Sequence, residues 1–366
     1  MLKTLTILSL HAESTVQNVA VALTQTDGVD IFGVPKTFRR PFDDDLKQQL
    51  WAVNGQDVID NATIKKLDNS VTEFFISLLN EAQELWNEKI DYIVISGHFV
   101  RLSEHDKYAM ELGQLQKIAD TFKVPVIGHF VQSDLNAGGT GSPLLSVFWQ
   151  TMTKTLNKPL GVVGLGGILK LTYIGPDGEL AACDIGVGFA LLEKWMARHS
   201  PQSQDEQGLL AARGKADKRV LKTLMAHPFL KKTAPKAVHR NDFDKLLEQV
   251  EGLSLQDGCA TLTQFMVEQI ESCKNFFDTP IENWIFIGAG RKNPTLMLSL
   301  QQRLDNVYIA DESLPFCEHL NAVGYCFLGA RCVMGLPVSL PSCTGAETAA
   351  PCGTIIYPNI DKKRQV

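Results

Sequence analysis

The amino-acid sequence predicts an α/β protein of two lobes. Short apolar runs alternate with longer amphipathic segments, which is the βαβ pattern of a sheet covered by helices. This pattern starts again near residue 160, and each half opens with two short apolar runs around a turn, which indicates a β-hairpin. The 366 residues, 45% of them hydrophobic, suffice for about two domains with a core in each.

In the first half, residues 4–10 and 19–24 predict the opening hairpin. The apolar start is interpreted as a strand, because it is shorter than a signal peptide and lacks a cleavage site. Ser70-Val71-Thr72-Glu73 has the form of a capping box, which predicts that a helix begins there. A strand over 92–95, a helical stretch through 118 and a strand over 124–127 complete this half.

The second half repeats the order of the first. Strands are predicted over 161–164, 168–174, 180–183 and 284–287. Pro176-Asp177-Gly178 is a turn signal, a helix is predicted around 191–196, and the polar segment 200–208 reads as an exposed loop.

Charge and cysteine content exclude several classes of protein. The net charge of −6 comes from interspersed acids and bases, so nucleic acid and anionic membranes are not expected partners. No apolar run approaches the ~18 residues of a membrane span. The eight cysteines form no Cys-x-x-Cys pair, which favours reduced thiols in a cytoplasmic protein and predicts neither disulfides nor a metal site.

Two glycine-rich turns flank one carboxylate in the middle of the chain. Gly164-Leu165-Gly166-Gly167 follows a predicted strand, and Cys183-Asp184-Ile185-Gly186-Val187-Gly188 precedes a predicted helix. Glycines let backbone N–H groups approach a phosphate while a carboxylate faces an acceptor hydroxyl. We therefore predict Asp184 as the catalytic residue and Gly166, Gly167 and Gly186 as cofactor-binding residues. Asp184 as an N-cap of the following helix is the competing interpretation.

A third turn, Gly288-Ala289-Gly290, follows a predicted strand and leads to Asn293-Pro294. It is interpreted as a loop on the adenosine side of a nucleotide, with Gly288, Gly290 and Asn293 as cofactor-binding residues. A plain strand-to-helix turn is the alternative.

The order of these turns resembles the 1,6-anhydro-N-acetylmuramic acid kinase family along nearly the whole chain. The resemblance rests on Asp134-Leu135-Asn136-Ala137-Gly138-Gly139-Thr140-Gly141, on the turns at 164–168, 184–188 and 288–294, and on Leu340-Pro341-Ser342-Cys343-Thr344-Gly345. It implies two ribonuclease H-like lobes of the actin-like ATPase and sugar kinase fold, with a cleft between them. The expected lobes are 1–130 with about 350–366, and 131–349.

The resemblance also implies a chemistry. The family uses ATP and Mg²⁺ to open the anhydro ring of anhydro-N-acetylmuramic acid with water and to phosphorylate its 6-oxygen, in peptidoglycan recycling. Asp184 stands where the family has its general base. His98, Arg101 and Asp134 are the expected substrate-binding residues, a structural histidine being the default reading of His98. A homodimer with an amino-sugar ligand is implied as well.

This sequence departs from the family where the chemistry is expected. The family turn Met-Ser-Gly-Thr-Ser-x-Asp-Gly wraps the ATP phosphates, whereas residues 11–18 read His-Ala-Glu-Ser-Thr-Val-Gln-Asn. Glu13 thus replaces a glycine and adds a negative charge facing an anion. The family Asp-Phe-Arg, whose arginine holds the sugar, is His129-Phe130-Val131 here, and a glutamate of the C-terminal helix is Asn321.

Three functions follow from these departures. The first is a pseudokinase that retains the fold and acts by binding an amino sugar or a protein partner. The second is an active sugar kinase with a rebuilt phosphate site, in which Glu13, Ser14 and Gln17 reach Mg²⁺ through water. The third is a nucleotide-independent hydrolase that uses Asp184. The loss of both phosphate and sugar contacts favours the first.

Two smaller expectations concern the C-terminal half. Lys236 and Arg240 are interpreted as a basic pair in solvent. The segment with Tyr325, Phe327, Leu328 and Met334 serves either a dimer interface or a core.

Overall fold

A computed structural model describes residues 2–13, 16–53, 56, 59–103, 107–202, 204–238, 241–314 and 319–359, with the side chains of 101–103 excepted. The chain divides into two compact units. The first unit is Met1–Thr151 with Glu318–Pro341 and Gly345–Val366, and the second is Met152–Cys317 with Ser342–Thr344. The first unit thus reaches further along the chain than the expected boundary at 130.

The elements follow one another in the order strand, helix and strand that the sequence indicates. The strands are β1 Leu5–Ala12, β2 Asn18–Thr26, β3 Ile31–Pro41, β4 Tyr92–Ser96, β5 His98–Ser103, β6 Tyr108–Leu112, β7 Val126–Gly128, β8 Leu160–Leu165, β9 Ile168–Ile174, β10 Leu180–Val187, β11 Asn283–Ile287, β12 Val307–Ile309 and β13 Thr354–Ile356. The helices are α1 Asp44–Val53, α2 Asn61–Trp86, α3 Leu115–Phe122, α4 Phe130–Asn136, α5 Ser146–Met152, α6 Phe189–His199, α7 Leu209–Arg213, α8 Lys218–Leu224, α9 Leu255–Ser272, α10 Pro294–Gln301, α11 Ala310–Ser313, α12 Leu320–Met334 and α13 Pro341–Thr344.

The first unit is built on a mixed sheet in the order β13-β7-β4-β1-β2-β3. β1, β2 and β3 form an antiparallel meander, and β4 and β7 continue the sheet parallel to β1. Leu8 and Leu10 face the core shared with α1, α2 and α3. Ile7 lies on the opposite face, where α12 approaches closely enough that a Cβ on Gly329 would meet Val94. The two-residue period of a strand thus explains helices on both faces.

The second unit repeats this plan in the order β10-β9-β8-β11-β12. β8, β9 and β10 are antiparallel neighbours, and β11 and β12 run parallel to β8. The core centres on α9, which packs against α6, α7, α8 and α10 and buries Phe265 and Ile270. In both units an antiparallel hairpin leads into parallel strands, so the predicted α/β class with two ribonuclease H-like lobes is confirmed.

Several predicted elements differ in their limits. α2 begins at Asn61, and Asp60 caps it by accepting from the Thr63 N–H, so the predicted start at Ser70 is wrong. Ser70 lies inside a continuous amphipathic run that overrides the local capping signal. β3 and the β5–β6 hairpin were not predicted, because β3 is an edge strand with mostly exposed or half-buried side chains and no clean apolar alternation. Within the described residues, none of the helices is long and apolar enough to cross a membrane.

Candidate functional site

Asp184 lies within β10, opposite Lys170 of the neighbouring strand β9. The strand continues past the predicted end at 183 to Val187, with a bulge between Asp184 and Gly186. α6 begins only at Phe189, with Gly188 at its cap position and no side-chain cap bond. The interpretation of Asp184 as the cap of this helix is therefore wrong.

Both oxygens of the Asp184 carboxylate accept hydrogen bonds. Lys170 Nζ lies 2.9 Å from Oδ1, and the Val238 N–H donates to Oδ2 at 3.1 Å. Asp184 is only 1% exposed, whereas the Lys170 side chain is 44% exposed. The buried negative charge is thus balanced by an ammonium group at the surface.

Lys236 is tied to the same strand through its backbone. Its carbonyl accepts from the Asp184 N–H at 2.8 Å. The ammonium group is buried over the rings of Phe229 and Phe276, at 4.7 and 5.1 Å from their centroids. Burial lowers the pKa of Lys236. The expectation of a solvated Lys236 is wrong, and Arg240 lies outside the described residues.

The turn between β8 and β9 caps the start of α6 through backbone hydrogen bonds. The Gly188 and Ala190 N–H groups donate to the Gly167 carbonyl, and the Phe189 N–H donates to the Gly166 carbonyl at 3.0 Å. A Cβ on Gly188 would lie 2.2 Å from the Gly166 oxygen. These glycines allow backbone to pack on backbone, and three N–H donors at the helix start are already satisfied.

The third glycine turn lies against the other two. Gly288 has φ +83°, and a Cβ on Gly290 would lie 2.3 Å from the Phe189 ring and 2.7 Å from the Leu165 side chain. Asn293 caps α10 by accepting from the Leu296 N–H. The predicted cofactor-binding glycines, Gly166, Gly167, Gly186, Gly288 and Gly290, are therefore brought close to one another in the second unit. Their role in nucleotide binding stays a prediction.

The expected substrate-binding residues lie in the first unit. His98 is buried, with its ring at 75° to that of Phe42 and the ring centroids 6.5 Å apart. Arg101 is on β5, and its side chain lies outside the described residues. The fully buried Asp134 carboxylate accepts from the Gly141 N–H at 2.8 Å, so it holds the glycine turn 138–141 in place. Substrate contact by these residues stays a prediction.

A polar cluster in the first unit was not predicted from the sequence. The strand-end cluster consists of His11, Ser96, Glu111, His129 and Tyr325. It lies where the parallel strands β1, β4 and β7 end, since His11 is near the end of β1, Ser96 ends β4 and His129 follows β7. Ligands of open α/β sheets bind at this edge. The signal in the sequence that predicts a site at this edge is the order of the parallel strands, rather than any local motif.

Direct contacts hold the strand-end cluster together. His11 Nδ1 lies 3.1 Å from Ser96 Oγ, and the His11 ring stacks on Tyr325 at 5.1 Å. The Gly97 N–H donates to Glu111 Oε1, and Glu111 Oε2 lies 3.9 Å from His129 Nδ1. The side chain of Glu111 is 9% exposed and that of His129 is 45% exposed.

Burial leaves this cluster without a fixed positive charge. It raises the pKa of Glu111 to about 7 and that of Tyr325 to about 12. It lowers the pKa of His11 to about 4 and also lowers the pKa of His129. At neutral pH both imidazoles and the phenol are uncharged, and Glu111 is near its midpoint.

The cysteines that the structure describes are free thiols, and Cys317 lies outside them. In the same described part of the chain, no group of three or more His, Cys, Asp or Glu side chains is placed to hold a metal ion.

Comparison with known proteins assigns the family. The model of the anhydro-N-acetylmuramic acid kinase family matches residues 6–358. A protein named anhydro-N-acetylmuramic acid kinase from Paramagnetospirillum magneticum is 30% identical over 93% of this chain and 96% of its own. One of the same name from Rhodopseudomonas palustris is 30% identical over 97% of this chain and 100% of its own.

Solved structures resemble the chain more distantly. A ROK family glucokinase from Streptomyces griseus, in complex with glucose and AMPPNP, is 12% identical with a TM-score of 0.40, over 88% of this chain and 98% of its own. The assignment rests on the family model and the sequence relatives, which agree over nearly the whole length. This chain therefore belongs to the anhydro-N-acetylmuramic acid kinase family, a kinase family for which ATP is the expected cofactor.

Proposed function

We propose that this protein binds an amino sugar on the kinase scaffold of its family and is impaired in phosphate transfer. The observation that carries the proposal concerns Asp184, the residue in the position of the family's general base. Both of its carboxylate oxygens already accept hydrogen bonds within the protein. A general base needs an oxygen within hydrogen-bond reach of the attacking water. At 1% exposure, with Lys170 on Oδ1 and the Val238 N–H on Oδ2, this carboxylate offers water little access.

The N-terminal turn supports the same proposal. The Glu13 N–H donates to the Asn18 carbonyl and the Val16 N–H donates to the Glu13 carbonyl, both at 3.0 Å. These two backbone donors are thus used inside the turn rather than directed to a ligand. Val16 is buried at φ +57°, a strained conformation for a β-branched residue.

The negative charge at this turn also disfavours the binding of a nucleotide. Glu13 adds a carboxylate where a phosphate chain needs N–H donors and cations. The Asn18 side-chain amide donates to Glu13 Oε2 at 3.3 Å, so the carboxylate is held at the turn. The described residues of the turn therefore do not fit the phosphates of ATP.

One observation favours an active kinase with a rebuilt site as the second candidate. The Lys170 side chain is 44% exposed, so its ammonium group can leave Asp184 for an anionic ligand without being buried. Lys170 would then supply a cation to the ligand while Asp184 gains access to water. Phosphate transfer that depends on both Lys170 and Asp184 is the signature of this alternative.

Isothermal titration calorimetry tests the proposal. The protein is titrated with ATP·Mg²⁺, with 1,6-anhydro-N-acetylmuramic acid and with its analogue 1,6-anhydro-N-acetylglucosamine. The kinase from Paramagnetospirillum magneticum serves as positive control. We expect heat from at least one sugar and none from ATP·Mg²⁺. Tight ATP·Mg²⁺ binding would contradict the misfit of the N-terminal turn to a nucleotide, and the absence of heat from every sugar would contradict the sugar-binding role.

A homodimer is also part of this proposal, on the family resemblance alone. Of the four residues expected to serve an interface or a core, Tyr325, Phe327 and Leu328 are buried within the first unit, whereas Met334 is half-buried. The three buried residues serve the core, so the proposed interface would involve other surface residues. Light scattering coupled to size exclusion measures the mass, and a monomer at micromolar concentration would contradict the dimer.

A further inference from the structure

We propose that the first unit binds an amino sugar that carries a short peptide, joined as an amide to the lactyl carboxyl group of the sugar. This inference rests on the proposed sugar-binding function and names the class of its ligand. It is carried by a groove that begins beside the strand-end cluster. This α3 groove lies between α3 on one side and His129 and Ile356 on the other.

The α3 groove starts where the strand-end cluster reaches the surface. His129 belongs to both, because its 45% exposed side chain lines the groove while its Nδ1 lies 3.9 Å from Glu111 Oε2. His129 directly follows β7, and ligands of open α/β sheets bind at this end of parallel strands. A sugar bound at the strand-end cluster therefore has the α3 groove beside it.

The α3 groove leads away from the strand-end cluster along the sheet. Ile356 pairs with Val126, the first residue of β7, whereas His129 follows its last residue. Three residue steps of about 3.3 Å separate these positions, a distance of about 10 Å. On the helix side the groove runs from Gln114 to Thr121, which is again about 10 Å at 1.5 Å per residue. Two or three residues of an extended peptide have this length.

The size and the apolar wall of the α3 groove also suit a peptide. Its volume of about 720 Å³ lies in the upper part of the range of roughly 300–1,000 Å³ that is usual for small-molecule sites. A sugar held at the strand-end cluster leaves this volume to a substituent. Leu115 and Ile356 line the groove, so a small apolar side chain such as the methyl group of alanine can pack there.

Two side-chain amides of the α3 groove are acceptors for peptide N–H groups. Gln114 Nε2 donates to Asn69 Oδ1 at 2.7 Å, and Gln116 Nε2 donates to the Tyr357 carbonyl at 3.1 Å. Among the residues that the structure describes, neither amide oxygen receives a hydrogen bond. These oxygens can accept from backbone N–H groups, which a peptide supplies at every residue.

His129 suits the amide that joins the sugar to the peptide. Burial lowers the pKa of His129, so its imidazole is uncharged at pH 7. An uncharged imidazole has one donor and one acceptor nitrogen, and an amide likewise offers one N–H and one carbonyl oxygen. The residue at the start of the groove therefore matches the linking group.

Lys117 offers a positive charge to the carboxylates of the peptide. Its ion pair with Glu73 is exposed, with 41% of the lysine side chain and 62% of the glutamate side chain accessible. Such pairs contribute little, so Lys117 can exchange Glu73 for a ligand carboxylate and form a charge-assisted hydrogen bond. The neighbouring carboxylate of Asp120 accepts from the backbone N–H and the side-chain amide of Asn359, which offset its charge.

Calorimetry on the full chain tests this inference with three probes. These are 1,6-anhydro-N-acetylmuramic acid, the same sugar with L-alanyl-D-glutamate on its lactyl carboxyl group, and free L-alanyl-D-glutamate. The peptide-bearing sugar should bind at least about tenfold more tightly than the sugar alone. It should also bind at least about tenfold more tightly than the free dipeptide, because the sugar holds the peptide beside the groove.

Two variants locate the peptide. Lys117→Gln should reduce the gain from the peptide to less than about threefold, because the carboxylates lose their cation. Lys36→Gln is the matched control and should leave the gain unchanged, since Lys36 forms a similar exposed pair with Glu88 on β3, at the other edge of the sheet. Thr121→Trp, at an exposed position, should also reduce the gain by filling the far end of the groove.

Circular dichroism checks that each variant is folded, and the comparison of the three probes on the unaltered protein needs no variant. A gain that persists in both Lys117→Gln and Thr121→Trp would overturn the assignment of the peptide to the α3 groove. Binding of the free dipeptide as tight as that of the peptide-bearing sugar would overturn the joint recognition of sugar and peptide.

The outcomes separate this inference from the proposed function. Equal or weaker binding of the peptide-bearing sugar, without phosphate transfer, overturns the ligand class and leaves the proposed function standing. Phosphate transfer to either sugar, with the peptide-dependent gain intact, supports the ligand class and overturns the impairment. Binding of neither sugar overturns both.

Discussion

Lys170 and Asp184 face each other across β9 and β10, with Nζ 2.9 Å from Oδ1. The pair joins a buried carboxylate to a half-exposed ammonium group. The residue that the family resemblance predicts as the general base is therefore one member of a cross-strand ion pair.

Lys170→Met should destabilise the protein by about 1–2 kcal/mol, because it removes an ammonium group that balances the buried Asp184 charge. Because Lys170 is half-exposed, the loss of unfolding free energy should be smaller than for a fully buried ion pair. Urea unfolding measures the change. Lys36→Met is the matched control, since Lys36 lies on β3 and pairs with Glu88 where both side chains are more exposed. An equal loss in the two variants would contradict the importance of the Asp184 pair.

Asp134→Ala should cost roughly 1–3 kcal/mol of unfolding free energy, since the Gly141 N–H loses its buried acceptor. Asp177→Ala, in the exposed turn before β10, should change stability by less than about 0.5 kcal/mol. Chemical denaturation compares the two variants. If Asp134→Ala is as stable as the unaltered protein, the carboxylate does not hold the turn, and its expected role in substrate binding gains weight.

Gly188→Ala should destabilise the second unit by about 2 kcal/mol or more, because the added Cβ would lie 2.2 Å from the Gly166 oxygen. Gly252→Ala is the control, since a Cβ there meets nothing within 4 Å. Thermal unfolding by circular dichroism compares both with the unaltered protein. A neutral Gly188→Ala would show that the turn between β8 and β9 adjusts, contrary to the close packing described above.

Glu111 should make the protein less stable as the pH rises. Its pKa is raised from 4.5 to about 7, so the folded state holds a proton that the unfolded state has lost between these values. This stability is present below about pH 4.5 and is lost as the pH rises to about 7. His11, with a pKa lowered to about 4, acts in the opposite direction between about pH 4 and 6.5.

The difference between Glu111→Gln and the unaltered protein isolates this effect. The variant should gain stability relative to the unaltered protein between pH 5 and pH 8, by up to about 3 kcal/mol, which corresponds to a pKa raised from 4.5 to about 7. Urea unfolding at a series of pH values measures this difference. A constant difference over the whole range would contradict the raised pKa of Glu111.

The sequence predicted the fold better than the site. Alternating apolar runs identified β1, β2, β4 and β8 to β10, because their side chains fill a core on at least one face. The edge strand β3 was not predicted, since its side chains are largely exposed and show little apolar alternation. The start of α2 was misplaced because a local capping signal at Ser70 lies within a longer amphipathic run.

The site needed tertiary information. Asp184 was found from its glycine neighbours, but its pairing with Lys170 depends on the register of β9 and β10 across 14 residues of sequence. Glu111 and Tyr325 lie more than 200 residues apart, and they enter one cluster only because β6 and α12 approach the same end of the sheet. Parallel strand order predicts such a meeting, but not which side chains take part.

Sugar-dependent release of ADP distinguishes an impaired kinase from an active one. The protein and the Paramagnetospirillum magneticum kinase are incubated in parallel with ATP, Mg²⁺ and each of the two anhydro sugars, and ADP is measured by a coupled assay. We expect no sugar-dependent ADP from this protein beside a working control. Sugar-dependent ADP release that Asp184→Asn abolishes would contradict it and establish an active kinase.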